Sequence, residues 1–179
     1  MNPTWILHTG RLLMTPVGGA DLPHLRTLKA DPEVFAVMLG GVRGPTETAE
    51  ELARDVRAWG ANGFGIWAVR ETAGNRFVGI TGLERRPDGR GVALRFALGA
   101  EAQGRGLARE AAGAALRFGH DGANLSRIVA VAREINVASR LVLGAIGMTA
   151  CGSFDRNGYR MVLFESLRSI SAPAAPSWL

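Results

Sequence analysis

Three strand-length runs, at 64–70, 77–84 and 92–98, follow one another with only the turn segments 71–76 and 85–91 between them. With only turn segments between them, the three runs read as consecutive strands of one sheet. The second turn holds Pro87-Asp88-Gly89, a reversal signal. Helical patterns flank the three strands. The stretch 20–30 spaces Leu22, Leu25 and Leu28 by three, opens at Asp21 and stops at Asp31-Pro32. Over 46–60, Ala49, Leu52, Ala53, Val56 and Trp59 form an apolar stripe, while Glu47 and Glu50 complement the N-terminal dipole. Further helices are predicted over 104–118, with Leu107, Ala111, Ala115 and Phe118 on one face, and over 136–146, closed by Gly147. Strand patterns at 11–17 and 127–132 precede a final pair, 148–155 and 159–167, joined by the hairpin signal Arg156-Asn157-Gly158. The order β-α-α-β-β-β-α-β-α-β-β describes an α/β domain with a mixed, mostly antiparallel sheet flanked by helices. With 179 residues and no internal repeat, 1–168 is expected to be a single domain. Residues 169–179 (SISAPAAPSWL) lack periodicity and are expected to form a flexible tail.

Composition removes several classes. Hydrophobic residues make up 47% and charged residues 21%, ordinary globular usage that argues against disorder. No apolar run reaches the roughly 18 to 20 residues of a membrane helix. The start, MNPTWILHTGRLL, lacks the basic head and apolar core of a secretory signal, so a cytoplasmic protein without a membrane partner is expected. One cysteine, Cys151, precludes an internal disulfide framework, and the scattered His8, His24 and His120 offer no metal site. Cys151 has no histidine beside it and reads as a small buried core residue. The net charge of +5 comes from 21 basic and 16 acidic residues, and every basic residue except Lys29 is arginine. Arginine grips phosphate at two points and suits a phosphorylated ligand. Arginines spread along the whole chain are also what a coding bias leaves. No block of roughly five or six like charges marks a nucleic-acid arm.

The chemistry concentrates in FALGAEAQGRGLAREAA, residues 96–112. A hydrophobic strand stops at Leu98-Gly99, and Gln103-Gly104-Arg105-Gly106-Leu107-Ala108 opens a helix. A first helical turn presents free backbone N–H groups and a partial positive charge to an anion. Gly104 and Gly106 leave no Cβ where a pyrophosphate would meet the backbone, and Arg105 and Arg109 add charge-assisted donors. A bare Gly-x-Gly also serves as a plain strand-to-helix turn that uses glycine for its φ angles. A Walker loop is excluded because no Gly-Lys-Ser/Thr follows, and the dinucleotide G-x-G-x-x-G is absent.

The segment Gln103 to Ala108 resembles the Q/R-x-x-G-x-G/A signature of the Gcn5-related N-acetyltransferases, the GNAT superfamily. Asn136-Val137-Ala138-Ser139, followed by Gly147-Met148, resembles that family's N-x-x-S…G-F segment. The pieces RLLM, ADLPHL, ADPEVF, GFGIWAV and FVGITGL are similar to the ribosomal-protein N-terminal (RimJ/RimL-like) acetyltransferase subgroup, so the resemblance spans residues 10–167. It implies a GNAT fold whose central strands, 92–98 and 127–132, splay apart. It implies acetyl-CoA as cosubstrate, with no metal. Pantetheine would lie in the opened wedge along Phe96, Ala97 and Leu98, the pyrophosphate on Gln103, Gly104, Arg105, Gly106, Leu107 and Ala108, and Asn136 across from the pantetheine arm. The N–H of Leu98 would stabilise the tetrahedral oxyanion. The acetyl group would pass directly to a primary amine, with no acyl-enzyme. That amine belongs to a protein N-terminus, a small molecule or an amino sugar, and the protein acts as a monomer or homodimer.

Such transfer needs a neutral amine and a proton for the departing thiolate. Glu84, at the end of FVGITGLE, is the candidate base, against a reading as a solvated carboxylate beside Arg85 and Arg86. Ser139 is the candidate acid, since the tyrosine that many family members carry four residues later is Leu143 here. As the third residue after an Asn136 cap, Ser139 also suits a plain helix-start hydrogen bond. Three departures stand out from the family pattern. Arg95 replaces the usual Gly and Ala93 a frequent Glu, both on the acceptor side of the strand, and Met148 replaces Phe. Trp59 and Trp67 are assigned to the core and Tyr159 to the hairpin, while Trp5 stands outside the main pattern. Two rivals remain open at this point: a non-catalytic acyl-CoA-binding sensor or interaction module with the same fold, and an RNA-associated protein suggested only by the arginine excess.

Overall fold

A computed structural model describes residues 2–38, 40–86, 89 and 91–168; Pro87, Asp88 and the tail 169–179 lie outside the described residues. In chain order the elements are β1 (Leu7–His8), β2 (Leu12–Pro16), α1 (Leu22–Ala30), α2 (Pro32–Phe35), α3 (Pro45–Asn62), β3 (Ile66–Glu71), β4 (Phe77–Arg85) and β5 (Val92–Leu98). Then come α4 (Leu107–Arg117), β6 (Arg127–Arg133), α5 (Val137–Ala145), β7 (Thr149–Arg156) and β8 (Tyr159–Leu167). The strands form one sheet in the order β1-β2-β3-β4-β5-β6-β8-β7. Each adjacent pair runs antiparallel except β5 and β6, so the sheet is mixed and mostly antiparallel.

The parallel pair is the feature that builds a site. β5 pairs with β4 along its whole length, from Arg85↔Val92 to Gly79↔Leu98. With β6 it pairs only at Val92↔Ile128 and Ala93↔Val129, after which the two strands part. β6 meanwhile stays paired to β8 from Arg127↔Leu167 to Arg133↔Met161. The sheet therefore opens a wedge between β5 and β6.

A hydrophobic core covers each face of the sheet. One holds Leu12, Trp67, Leu83 and Ile128 beneath Leu107, Ala111 and Ala115 of α4, whose alanine face lets the helix lie close. Trp59 and Trp67 meet edge to face at 4.7 Å, and Trp5, outside the sequence pattern, meets Trp59 in a tilted contact at 5.1 Å. The other core packs Leu25, Leu28, Phe35 and Leu52 of α1 to α3 on Ile80 and Ala97. Fully burying each such side chain stabilises the fold by about 1.5–3 kcal/mol.

Several expectations are corrected. On α3 the buried residues are Thr48, Leu52 and Trp59, while Ala53 and Val56 are exposed, so the inward stripe follows 48, 52, 55 and 59 and includes Asp55. Asp31-Pro32 ends α1 but also starts α2, because the Asp31 side chain accepts the Glu33 N–H at 2.9 Å. The helix expected from Gly104 begins at Leu107. Cys151 is exposed, because β7 is an edge strand with little packed on either side. The hairpin forms as expected, with Asn157 and Gly158 at φ 50° and 76°, the pair of positive angles that a two-residue turn demands.

Candidate active site

The backbone of β5 supplies the first part of the site. Gly99 N–H donates to Val78 C=O at 3.0 Å, which makes Gly99 and Val78 a hydrogen-bonded pair. Pairs alternate along an antiparallel ladder, so Leu98 and Phe96 turn their N–H and C=O groups away from β4, toward the wedge. The Leu98 carbonyl accepts Gln103 Nε2 at 3.2 Å. That bond folds the following loop back against the strand end.

The loop then delivers α4. Gly104 and Gly106 have φ of 70° and 75°, left-handed angles that a side chain would strain. The first intrahelical bond runs from Glu110 N–H to Gly106 C=O, which leaves the N–H groups of Leu107, Ala108 and Arg109 without acceptors inside the helix. Arg11, unremarked in the sequence, holds this turn in place. Its guanidinium pairs with Glu110 at 2.7 Å and donates to the Arg105 carbonyl at 2.9 Å. Burial would raise the Glu110 carboxyl, but hydrogen bonds from Thr9 and Arg11 outweigh it and hold the carboxyl below the usual range.

A groove of about 650 Å³ runs from this turn into the wedge. Phe96, Ala97, Leu98, Gln103, Gly104, Gly106, Leu107, Ala108, Asn136 and Ser139 all line it, so ten of the residues singled out from the sequence share one cavity. Two do not. The Arg105 guanidinium turns away to pair with Glu71, whose carboxyl is held low by Arg105 and then Arg76. Glu84 is ion-paired with Arg95 at 2.6 Å and does not line the groove. Arg109 does line it, together with a shallower hollow of about 570 Å³ that also touches Arg11 and Arg117. The groove's far wall, Val34 on α2, Met38 just beyond it and Leu141 on α5, carried no sequence signal beyond hydrophobicity.

Asn136 and Ser139 meet at the start of α5. The Asn136 side chain caps the helix by accepting the Ser139 N–H at 3.1 Å. The Ser139 hydroxyl makes no hydrogen bond to any described residue and lines both the groove and the wedge. Beside the wedge lies a charged cluster that sequence reasoning missed. Lys29, only 2% exposed, bonds Glu51 at 2.6 Å, and Arg43 bonds the same carboxylate at 2.7 Å. Burial would raise Glu51, but Lys29 and Arg43 overcome it and hold it at about 2. Asp55, one turn further along α3, has no such bond. Burial pushes it up to about 6, against the pull of Lys29 and Arg95 and with Glu84 and Glu51 adding to the rise. Its inward position between Leu52 and Trp59 was the available signal, hidden by a stripe chosen from apolar residues alone.

Among the described residues, no group of three or more His, Cys, Asp or Glu is placed to hold a metal ion, and no helix is long and apolar enough to cross a membrane. Comparison with known proteins bears on the fold and the groove together. Residues 11–149 match the family model described as the acetyltransferase (GNAT) domain. A curated relative, the FsC-acetyl coenzyme A-N(2)-transacetylase of Aspergillus fumigatus, is 28% identical over 162 residues, 83% of this chain; the chain spans 66% of that relative's length. An acetyltransferase from Agrobacterium tumefaciens superimposes with a TM-score of 0.80 at 25% identity, covering 90% of this chain and 93% of that one. A ribosomal-protein-S5-alanine acetyltransferase from Vibrio fischeri shares the fold, with a TM-score of 0.73 at 16% identity over 94% of this chain and 99% of its own. The overall fold is thus shared with solved acetyltransferases, and the match over 11–149 makes this chain a member of the GNAT acetyltransferase family.

Proposed function

We propose that this protein is an N-acetyltransferase that moves an acetyl group directly from acetyl-CoA to a primary amine. The observation that carries the reading is the parting of β5 from β6 immediately before the free N–H groups of α4. An extended pantetheine arm pairs with the Phe96 and Leu98 backbone as an added strand would. The pyrophosphate meets the first turn of α4, with Arg109 and the nearby Arg11 and Arg117 supplying positive charge. Arg105 contributes its backbone to that turn.

In the transfer, the amine nitrogen attacks the thioester carbon, and the Leu98 N–H stabilises the oxygen as charge develops on it. As the C–S bond breaks, the Ser139 hydroxyl donates a proton to the thiolate and recovers, through solvent, the proton that the nitrogen sheds as it becomes the amide. The amine must first lose its own proton. Glu84, held by Arg95 outside the groove, receives it through water. The subgroup acting on ribosomal-protein N-termini is the acceptor class that the sequence segments resemble, beside small amines and amino sugars. A screen of peptides and small amines for thiol release from acetyl-CoA tests the reading. Release that depends on one amine class supports it; CoA binding with no release to any amine leaves only a binding module.

A further inference from the structure

The wedge has a charge pattern of its own. It holds a cavity of about 80 Å³ beside Ser139, and its charged lining residues are Arg95 from β5 and Arg133 from β6. No carboxylate lines it among the described residues. The carboxylates that act on Arg95, Glu84 on β4 and Asp55 and Glu51 on α3, do not line the wedge. Arg95 spends one nitrogen on Glu84, Nη1 to Oε2 at 2.6 Å, and its Nε and Nη2 have no partner among the described residues. Its side chain is 41% exposed. Arg133 lines the wedge from β6, with its guanidinium carbon 3.8 Å from the centre of the Tyr159 ring.

We propose that the wedge selects primary amines that carry a carboxylate a short carbon chain from the nitrogen, with Arg95 as the specificity-determining residue. The inference rests on the acetyl-transfer reading above and names its acceptor class. Two guanidiniums that cannot release their protons repel a second ammonium near the reacting nitrogen, which disfavours polycationic amines. A carboxylate instead meets paired N–H donors already oriented by the Glu84 contact, so little side-chain entropy is lost on binding. Phe96, whose backbone faces the wedge, directly follows Arg95 in the chain. Arg95, Phe96 and Ser139 line the same small cavity, so a carboxylate on Arg95 leaves an amine one or a few carbons away inside the wedge.

The test uses matched acceptors, β-alanine against β-alaninamide and 4-aminobutyrate against its amide. Binding to CoA-saturated protein is measured by calorimetry, and kcat/KM by thiol release. Both are repeated for Arg95→Gln and Arg95→Lys. Comparing the acid-to-amide ratio between proteins cancels the different basicities of the amines. In the unaltered protein the ratio is expected to exceed that of Arg95→Gln by about ten- to a hundredfold, the effect of a charge-assisted hydrogen bond. Arg95→Lys, with the charge but not the fork, is expected to fall between. CoA affinity reports that each variant is folded. Turnover with the same ratio in all three proteins overturns the inference and leaves acetyl transfer standing. A binding preference that Arg95→Gln abolishes, without thiol release from any acceptor, supports the recognition and overturns the transfer.

Discussion

Ser139 and Asn136 show how one helix start serves structure and chemistry through different atoms. The cap bond runs from the Ser139 backbone N–H to Asn136 Oδ1, leaving the hydroxyl free in the groove. Ser139→Ala should therefore lower kcat by about tenfold to a hundredfold, as loss of a general acid does. CoA affinity and melting temperature should stay unchanged, since no protein bond is broken. Asn136→Ala, by contrast, removes the cap and should cost about 1 kcal/mol in unfolding experiments. Asp55 makes a prediction of opposite kind. Its folded pKa, about 6, lies above the ordinary 3.8, so the folded state holds the proton more tightly than the unfolded chain. The stability tied to that proton is present below pH 3.8 and lost as pH rises through about 6. Asp55→Asn should match the parent in urea unfolding at the acid end and exceed it above pH 6. Water on its open side limits the gain to on the order of 1–2 kcal/mol. Glu51, held at about 2, behaves in reverse: its contribution is present above 4.5 and lost as pH falls through about 2.

At the scale of elements, strand and helix order was legible because hydrophobic period and turn chemistry are local properties. β5 lies at 92–98 as the pattern placed it, and Asn157-Gly158 makes its hairpin. The inward face of α3 was not legible, since Thr48 and Asp55 are polar residues on the same helix face as Leu52 and Trp59. The exposure of Cys151 was equally hidden: it follows from β7 lying at the sheet edge, which strand order alone decides. Ten groove residues came from the signature and its resemblance, whereas Arg95 pairing with Glu84, and Arg105 with Glu71, depend on side chains meeting across strands and loops. The turn into α4 joins both kinds of information. Gly106 needs its left-handed φ and also borders the groove. Asn tolerates that angle better than other side chains. Gly106→Asn therefore isolates the backbone effect, and Gly106→Glu adds bulk and negative charge. Calorimetry should show CoA binding at least about tenfold weaker in the Glu variant than in the Asn variant. Equal affinities would separate the turn from the phosphates.

For the whole molecule, the account joins two ends of a discontinuity in the sheet. β5 keeps its β4 partner and loses β6, and the freed backbone leads directly into an anion-attracting helix start. The two cores hold that opening from both faces, α4 packed on one and α1 to α3 on the other. Residue-resolved amide hydrogen exchange, with and without saturating CoA, tests this arrangement most directly. The account predicts slowed exchange at Phe96 and Leu98 along the wedge and at Leu107, Ala108 and Arg109 in the first turn of α4, with the distant hairpin at Asn157 unaffected. Unchanged exchange at those five amides in CoA-saturated protein would contradict it.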